Sequence, residues 1–582
     1  MENPSRARFQ IGKWTVEPSL NRLTHGEKRV SLRPRHMDAL VFFASHQGMV
    51  FSADALVKAV WGEVVVGDDA VYQCISRLRE ALGDDTQKPR FIQTIPKRGY
   101  RFIAGVAAEE DASTDRDRVA GVGNATIAVL PFKNLSGDPE QKYFVSGMQD
   151  LLIADLSKIA ALKIISRTST ERYSETRKSL PQIGAELGAG KLVEGSVYRV
   201  DERVRITVQL IDAATDEHLW AEQYERALTD VLLLQAEVAQ AIAEQIRIRI
   251  EPEEEARLGT TRKVDPGTYT TYLRGMYFVN KATPQETAKG LAILQKSVEV
   301  EPANALAWAG LSLGHLLAAH GPEPPLDAYD RARVAADRAL ALDDTLAEAY
   351  AARAETRLYK DWNWDGAAED FHRALSLNPN MAATRAHYSW SLNLRGEYRL
   401  GLAEMRQAIE LDPCTPLWLA WLGWQYWEAG HYELAVHQCR EALELVPDFP
   451  VALFAMGGAL AWSGAYLEAI DAHTRAAAVS HDWDQGLAEV HALAGNEEKA
   501  RAELARLEAR ATTWDTYFIA RVHMVLGNLD EAFRWLEIAS DEPHHPYIPW
   551  IRSFVSYDAI RDDARFKALM RKIGLPDRLK PN

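Results

Sequence analysis

Cysteine is nearly missing from this chain. Cys74, Cys414 and Cys439 are the three in 582 residues. Thiols so few and so scattered exclude a disulfide framework and a thiolate zinc cluster, and they suit a reducing, cytoplasmic setting. An apolar signal core is missing from the start, which reads Met-Glu-Asn-Pro-Ser-Arg-Ala-Arg. Long uncharged runs are rare. The run over 449–467 could span a bilayer by length, but Pro450, Gly457, Gly458, Ser463 and Gly464 interrupt it. It also keeps register with a helical repeat described below, so it reads as a buried repeat helix and no membrane partner is expected. The histidines show no metal-ligand spacing, the His544-His545 pair included. No Ser/His/Asp or Cys/His pattern is present either. The expectation is therefore no metal, no cofactor, no catalytic residue and no enzyme. One stretch, Gly184-Ala-Glu-Leu-Gly-Ala-Gly-Lys-Leu192, imitates a phosphate-binding loop. Ala185 stands where that loop needs Gly, and Leu192 where it needs Ser or Thr for Mg²⁺. It also runs from helix to strand, the reverse of a phosphate loop.

What is present is an uneven distribution of charge. The whole chain carries −15, which argues against a nucleic-acid partner. Residues 1–107 nevertheless hold 16 Lys+Arg against 11 Asp+Glu, a balance of +5, and the remainder carries −20. A basic head on an acidic body suits contact with DNA at one end. At this length several domains are expected. The apolar share of 47% and charged share of 26% are those of an ordinary folded protein.

The basic head centres on residues 70–82, Ala-Val-Tyr-Gln-Cys-Ile-Ser-Arg-Leu-Arg-Glu-Ala-Leu. Val71, Ile75, Leu78 and Leu82 recur at helical spacing and predict a buried stripe. Tyr72, Gln73, Ser76, Arg77 and Glu80 then face outward. Gln73 and Arg77 share one exposed face, as do Tyr72 and Ser76. Such a helix can enter the major groove, where Arg and Gln read base edges. A hairpin follows, with Lys97, Arg98 and Arg101 around Gly99, suited to phosphate or the minor groove. These motifs, Ile-Ser-Arg-Leu-Arg and Lys-Arg-Gly-Tyr-Arg-Phe, carry a resemblance. Residues 8–106 resemble the OmpR/PhoB-type winged helix-turn-helix domain. Short strands come first, then helices from about Pro34 to Ser45 and Ala53 to Trp61, the second capped by Ser52. The resemblance implies a third helix in the major groove and a wing on the flanking minor groove. By that reading Gln73 and Arg77 meet bases, with Tyr72 and Ser76 in support. Arg79, Lys97, Arg98 and Arg101 meet phosphate or the minor groove, and Arg33 and Arg35 add phosphate contacts. Ser76 departs from the family, whose recognition helix commonly carries Arg there. No receiver domain precedes the head, so a phosphorelay-like regulator without its aspartyl switch is expected.

Residues 107–124, rich in Gly, Ala, Ser, Asp and Glu, predict a flexible linker. Alternating strand and helix patterns over 125–252 predict a small α/β domain, with a hairpin turn at Asp201-Glu202. Tyr-Phe-Val-Ser-Gly-Met (143–148), Val-Glu-Gly-Ser-Val (193–197) and His-Leu-Trp-Ala-Glu (218–222) make it resemble a TolB-N-terminal-like module. From 268 to 582 the chain is helical and repetitive. Gly396-x-Tyr398, Gly430-x-Tyr432 and Gly464-x-Tyr466 recur every 34 residues, as do Pro379, Pro413 and Pro447. The small residues Ala367, Gly401, Ala435 and Ala469 keep the same step. That period is the tetratricopeptide signature. Roughly eight repeats are expected, with 557–575 as a closing helix. Four Trp fall in ten residues at 418–427, more than one helix face can bury. Trp421, Trp424 and Trp427 are therefore candidates to line a partner groove.

The fold expected is multidomain: a winged-helix (α+β) head, a small α/β middle and an all-α tetratricopeptide solenoid. The architecture resembles the ToxR/CadC/HilA-like regulators. It implies a transcription regulator whose partners are double-stranded DNA and a protein or peptide in the repeat groove, with room for a homodimer on DNA. Two rivals use the same pattern. One is an interaction scaffold whose winged helix binds protein. The other is an enzyme or a cyclase-associated regulator, since similar middle and repeat segments accompany cyclase domains.

Overall fold

The computed structural model describes residues 9–17, 22–25, 28–45, 49–61, 69–85, 88–95, 98–104, 106–108, 126–246, 248, 250–258, 265–320, 325–541 and 548–575. The chain divides into two compact units, Met1–Val119 and Ala120–Asn582.

The first unit begins with strands β1 (Phe9–Ile11), β2 (Trp14–Glu17), β3 (Arg22–His25) and β4 (Lys28–Ser31). Helix α1 (Pro34–Ser45), strand β5 (Val50–Phe51) and helices α2 (Ala53–Trp61) and α3 (Asp69–Leu82) follow. Strands β6 (Ile92–Ile95), β7 (Gly99–Phe102) and β8 (Val106–Ala108) close it. One sheet runs β4-β3-β2-β1-β8 and a smaller one β5-β7-β6. Helices α1 and α2 cover the predicted spans, and the Ser52 hydroxyl accepts from the Ala55 amide at 3.1 Å as an N-cap. Phe43 and Phe102 stack with centroids 6.2 Å apart at the centre of the core. One boundary is corrected. Ala107 and Ala108, assigned to the linker, pair with Gln10 and Phe9 as part of the first sheet. Residues 109–124, the rest of that linker, lie outside the described residues.

The second unit opens with an α/β layer. Its elements are β9 (Thr126–Val129), β10 (Lys133–Asn134), α4 (Lys142–Ser157), β11 (Lys163–Ile164), α5 (Arg167–Glu171) and α6 (Leu180–Leu187). Then come β12 (Lys191–Val200), β13 (Arg203–Asp212), β14 (His218–Ala227), α7 (Val231–Gln245) and a short α8 (Pro252–Leu258). The sheet order is β11-β9-β12-β13-β14, with β10 beside β12. Alternate residues of β9 enter different cores. Ile127 and Val129 face α4 and α7, while Ala128 and Leu130 face α6 with Ile183 and Leu187. The predicted hairpin turns at Asp201, where φ is +49°. Strand β14 has no counterpart in the sequence reading. The phosphate-loop imitation is the end of α6, a left-handed Gly188 and the start of β12.

The remainder is eight antiparallel helix pairs among the described residues. They are α9 (Pro266–Val279) with α10 (Pro284–Val300), α11 (Ala305–Ala319) with α12 (Ala328–Leu342), and α13 (Ala347–Tyr359) with α14 (Trp364–Leu377). Next are α15 (Ala382–Leu394) with α16 (Tyr398–Leu411), α17 (Pro416–Glu428) with α18 (Tyr432–Leu445), and α19 (Pro450–Trp462) with α20 (Tyr466–Val479). The last are α21 (Gly486–Leu493) with α22 (Glu497–Arg510), and α23 (Thr513–Val525) with α24 (Leu529–Asp541). The repeat residues act as their chemistry suggests. Gly396, Gly430 and Gly464 adopt φ of +81°, +74° and +88° after each first helix, a turn that L side chains resist. Ala367, Ala435 and Ala469 are fully buried where two helices meet. Helix α19 has 13 residues, about 20 Å, too short for a bilayer core of about 30 Å. No helix among the described residues is long and apolar enough to cross a membrane.

Two joints within the second unit differ from the expected domain boundaries. Tyr269 and Leu273 of α9 are buried in the α/β core, so the first repeat is also a wall of that layer. The repeat boundaries grip the layer as well. Asn380 donates to the carbonyls of Ser157 and Leu162 and accepts from the Ile164 amide. The Asp412 carboxylate accepts from the hydroxyls of Ser166 and Ser169 at 2.5 and 2.6 Å. The predicted closing helix is shorter than expected. Two 3-10 turns, Ile548–Arg552 and Val555–Ile560, precede helix α25 (Ala564–Lys572).

Candidate nucleic-acid interface and the face of the repeat array

Helix α3 presents two unlike sides. Val71, Cys74, Ile75, Leu78 and Leu82 are each at most 3% exposed. Tyr72, Gln73, Ser76 and Arg77 are all exposed, and the large Tyr72 ring is 66% accessible. A solvated aromatic of that size, beside a Gln and an Arg, gains nothing from the fold itself. Among the described residues the Arg77 guanidinium pairs with Glu80 at 2.7 Å, with both side chains about two-thirds exposed. Such a surface pair contributes little and yields readily to a better anion. The half-buried His36 has its pKa lowered by desolvation first and then by the charges of Arg33 and Arg77, so these two arginines flank it. Exposed Arg33 thus belongs to the same positive surface. Arg35 is half exposed but already donates to the Val60 carbonyl at 2.6 Å, tying α1 to α2.

The wing is the β6–β7 hairpin. Its turn depends on Gly99, whose φ is +118° and where an added Cβ would lie 1.9 Å from the Phe51 carbonyl oxygen. Arg98, next to it, is exposed. Arg101 is half-buried and donates to Gln93 Oε1 across the hairpin at 2.7 and 3.2 Å. Lys97 lies outside the described residues. Arg79 corrects the sequence reading. It is 8% exposed, and its Nη2 donates to the Ile92 carbonyl and to Thr94 Oγ1, both at 2.9 Å. Its charge fastens the wing to α3 and is not presented to phosphate.

The tryptophans of α17 correct it again. Trp424 and Trp427 are 4% and 1% exposed and belong to the core. Two layers bury them. The first helices of successive pairs pack side by side, and the chain's own segment 548–575 lies over that layer. Trp550 meets Trp390 at 5.2 Å, Phe554 meets Trp427 at 4.9 Å, and the Trp364 indole donates to the Ile573 carbonyl. The surface expected to hold a partner is, at α15, α17 and α23, already covered. Trp421 is half-buried, packed against Trp390, Trp418 and the His387 ring. There a cluster appears that spacing did not suggest: His320, Glu355 and His387 bring their ligand atoms within 4.8 Å of one another. His387 Nε2 lies 3.6 Å from Glu355 and its Nδ1 is 2.8 Å from the Tyr359 hydroxyl. Burial pushes the Glu355 carboxyl up to about 8.

Residues 26–102 match the family model described as transcriptional regulatory protein, C terminal. The head belongs to that winged-helix family. Residues 123–241 match a second model, HilA/YgeH-like transcriptional regulator, second domain. The transcriptional activator CadC of Escherichia coli (strain K12) is 43% identical over 98 residues, 17% of this chain and 19% of CadC. The transcriptional regulator HilA of Salmonella typhi is 22% identical over 397 residues, 67% of this chain and 68% of HilA. A putative adenylate cyclase 3 of Rhizobium meliloti (strain 1021) is 38% identical over 188 residues, 32% of each. The chain thus spans about a third of the cyclase and a fifth of CadC. Two stretches of the chain, 26–102 and 123–241, thus match regulator domains of the OmpR/PhoB and HilA types, and the third part is a tetratricopeptide-like array.

The winged-helix reading of the sequence placed the α3 stripe and its outer face, but it missed which cation is structural. Position 79 lies four residues after Ile75, beside the buried stripe, and that adjacency was the available signal. The His320 cluster had a signal too. Its members are 35 and 32 residues apart, close to one repeat, and Trp421 follows His387 by 34.

Proposed function

We propose that the chain is a DNA-binding transcription regulator that works in the cytoplasm without catalysis of its own. The observation that carries this is the exposed Tyr72-Gln73-Ser76-Arg77 face of α3, standing on a fully buried stripe and beside a glycine-dependent basic wing. Gln73 and Arg77 read base edges in the major groove, with Tyr72 and Ser76 beside them. Arg98, Lys97 and Arg33 meet phosphate, while Arg35 and Arg101 reach it only by sharing donors already engaged within the head. The α/β layer and repeat array receive a protein or peptide signal, and two copies on DNA suit the family's architecture.

Fluorescence anisotropy of the full chain on genomic fragments, across a salt series, tests this. Arg77→Ala narrows the gap between specific and unrelated duplexes, by about 1–3 kcal/mol if a bidentate contact is lost. Arg98→Ala weakens all duplexes alike and flattens the salt slope by about 0.9. If both variants bind as the parent does, or the parent prefers no duplex, the assignment fails.

A further inference from the structure

The cluster on the first-helix face of the array is not among the residues assigned to DNA, and its chemistry is specific. His320 follows α11, Glu355 and Tyr359 sit on α13, and His387 is on α15, so three successive repeats converge. The Glu355 side chain is 12% exposed, and its one ion-pair partner among the described residues is the His387 imidazole, 10% exposed. A site so far removed from water, with one imidazole as the partner of its carboxyl, is a costly place for a negative charge. A dication between them would offset that cost.

We propose that His320, Glu355 and His387 bind a divalent transition metal of the zinc class. Two imidazoles and one carboxylate form a set that such ions favour and that magnesium and calcium, which need oxygen ligands, do not. Donor atoms around a tetrahedral zinc lie about 3.4 Å apart. The 3.6 Å between His387 Nε2 and Glu355 already fits. The His320 ring stacks on that of His387 at 5.7 Å and brings a donor atom within 4.8 Å of the other two. The Tyr359 hydroxyl on Nδ1 fixes the ring so that Nε2 faces the metal, the outer support common to metal-bound histidines. The Trp421 ring, 5.2 Å from His387, walls the site on its other side. Bound there, the metal clamps three neighbouring repeats together.

The full chain, stripped with a chelator, is titrated with Zn²⁺ by calorimetry and with Co²⁺ by visible absorption. One ion per chain, a tetrahedral cobalt band and a raised melting temperature are expected. His320→Gln, at an exposed position, and Glu355→Gln, nearly isosteric, each weaken binding at least tenfold, with unchanged circular dichroism as the folding control. Tyr359→Phe weakens it by about 10–100-fold. No saturable binding by the parent overturns the proposal. So does binding left intact in both Gln variants, or a cobalt spectrum with a thiolate charge-transfer band, which would point to Cys414 instead.

Discussion

Arginine does opposite things at the two ends of this molecule. In the head, Arg77 stands two-thirds exposed with one equally exposed carboxylate beside it. In the array, Arg521 is fully buried, donates to Glu489 at 2.7 Å and lies 4.5 Å from the Phe554 ring centre and 5.0 Å from that of Trp427. Arg353 and Arg510 in the array are likewise engaged, by Asp370 and by Asp484 with Asp515. The lesson concerns charge counting. The formal charge of the chain adds cations held within the fold to cations left open to a partner, and only the second kind recruits an anion. Arg79 shows that the division does not follow the domain border, because it is a head cation committed to the fold.

The comparison breaks most sharply if Arg521 proves dispensable. Arg521→Leu leaves Glu489 buried at 7% side-chain exposure without its cation, with Glu428 close by and also buried. A loss of about 3–5 kcal/mol is expected in urea denaturation of the array. The same measurement on Arg77→Ala should move by less than about 0.5 kcal/mol, the usual range for an exposed position. Equal effects at the two sites would show that burial does not separate the two roles.

Arg79→Ala sharpens the boundary inside the head. Two wing acceptors, the Ile92 carbonyl and Thr94 Oγ1, lose their donor, and about 1–3 kcal/mol of head stability goes with it. Faster amide exchange in residues 92–95 would report it. The salt slope of DNA binding should stay at the parental value, unlike that of Arg98→Ala. A flattened slope in a folded Arg79→Ala head would return this residue to the phosphate contacts.

How much of this was legible in the sequence depends on how far apart the deciding atoms lie along the chain. The α3 stripe, the Ser52 cap and the repeat glycines are local, and their spacing alone places them. Strand β14 escaped because its outer position leaves most of its residues, such as His218, Glu222 and Gln223, exposed on both faces, which removes the alternation that marks a strand. The depth of Trp424 and Trp427 was illegible because Phe554, more than a hundred residues later, supplies the second layer. Docking of the α/β layer on Asn380 and Asp412 is hidden for the same reason, since prolines 379 and 413 mark a turn but not what the turn touches. The His320 cluster becomes visible only when the sequence is wrapped on its own period.

A smaller loss than at Arg521 or Arg79 is expected at a cation committed within the α/β layer. Lys191, 9% exposed by its side chain, pairs with Asp212 at 2.7 Å. That hydrogen bond, followed by the amide of Thr215, lowers the Asp212 pKa to about 2. Its folded value therefore lies below its unfolded value of about 3.9, so the ionised form is the stabilising one. The contribution is complete above about pH 4 and disappears as pH falls towards 2. Because Asp212 reaches water at one side, no more than about 1 kcal/mol is expected. Asp212→Asn should remove that part of the acid dependence while leaving stability at pH 2 nearly unchanged. Acid titration of the unfolding midpoint, parent against variant, measures it. If the two curves stay parallel from pH 5 to 2, Lys191 is held by burial alone and its charge adds nothing to the fold.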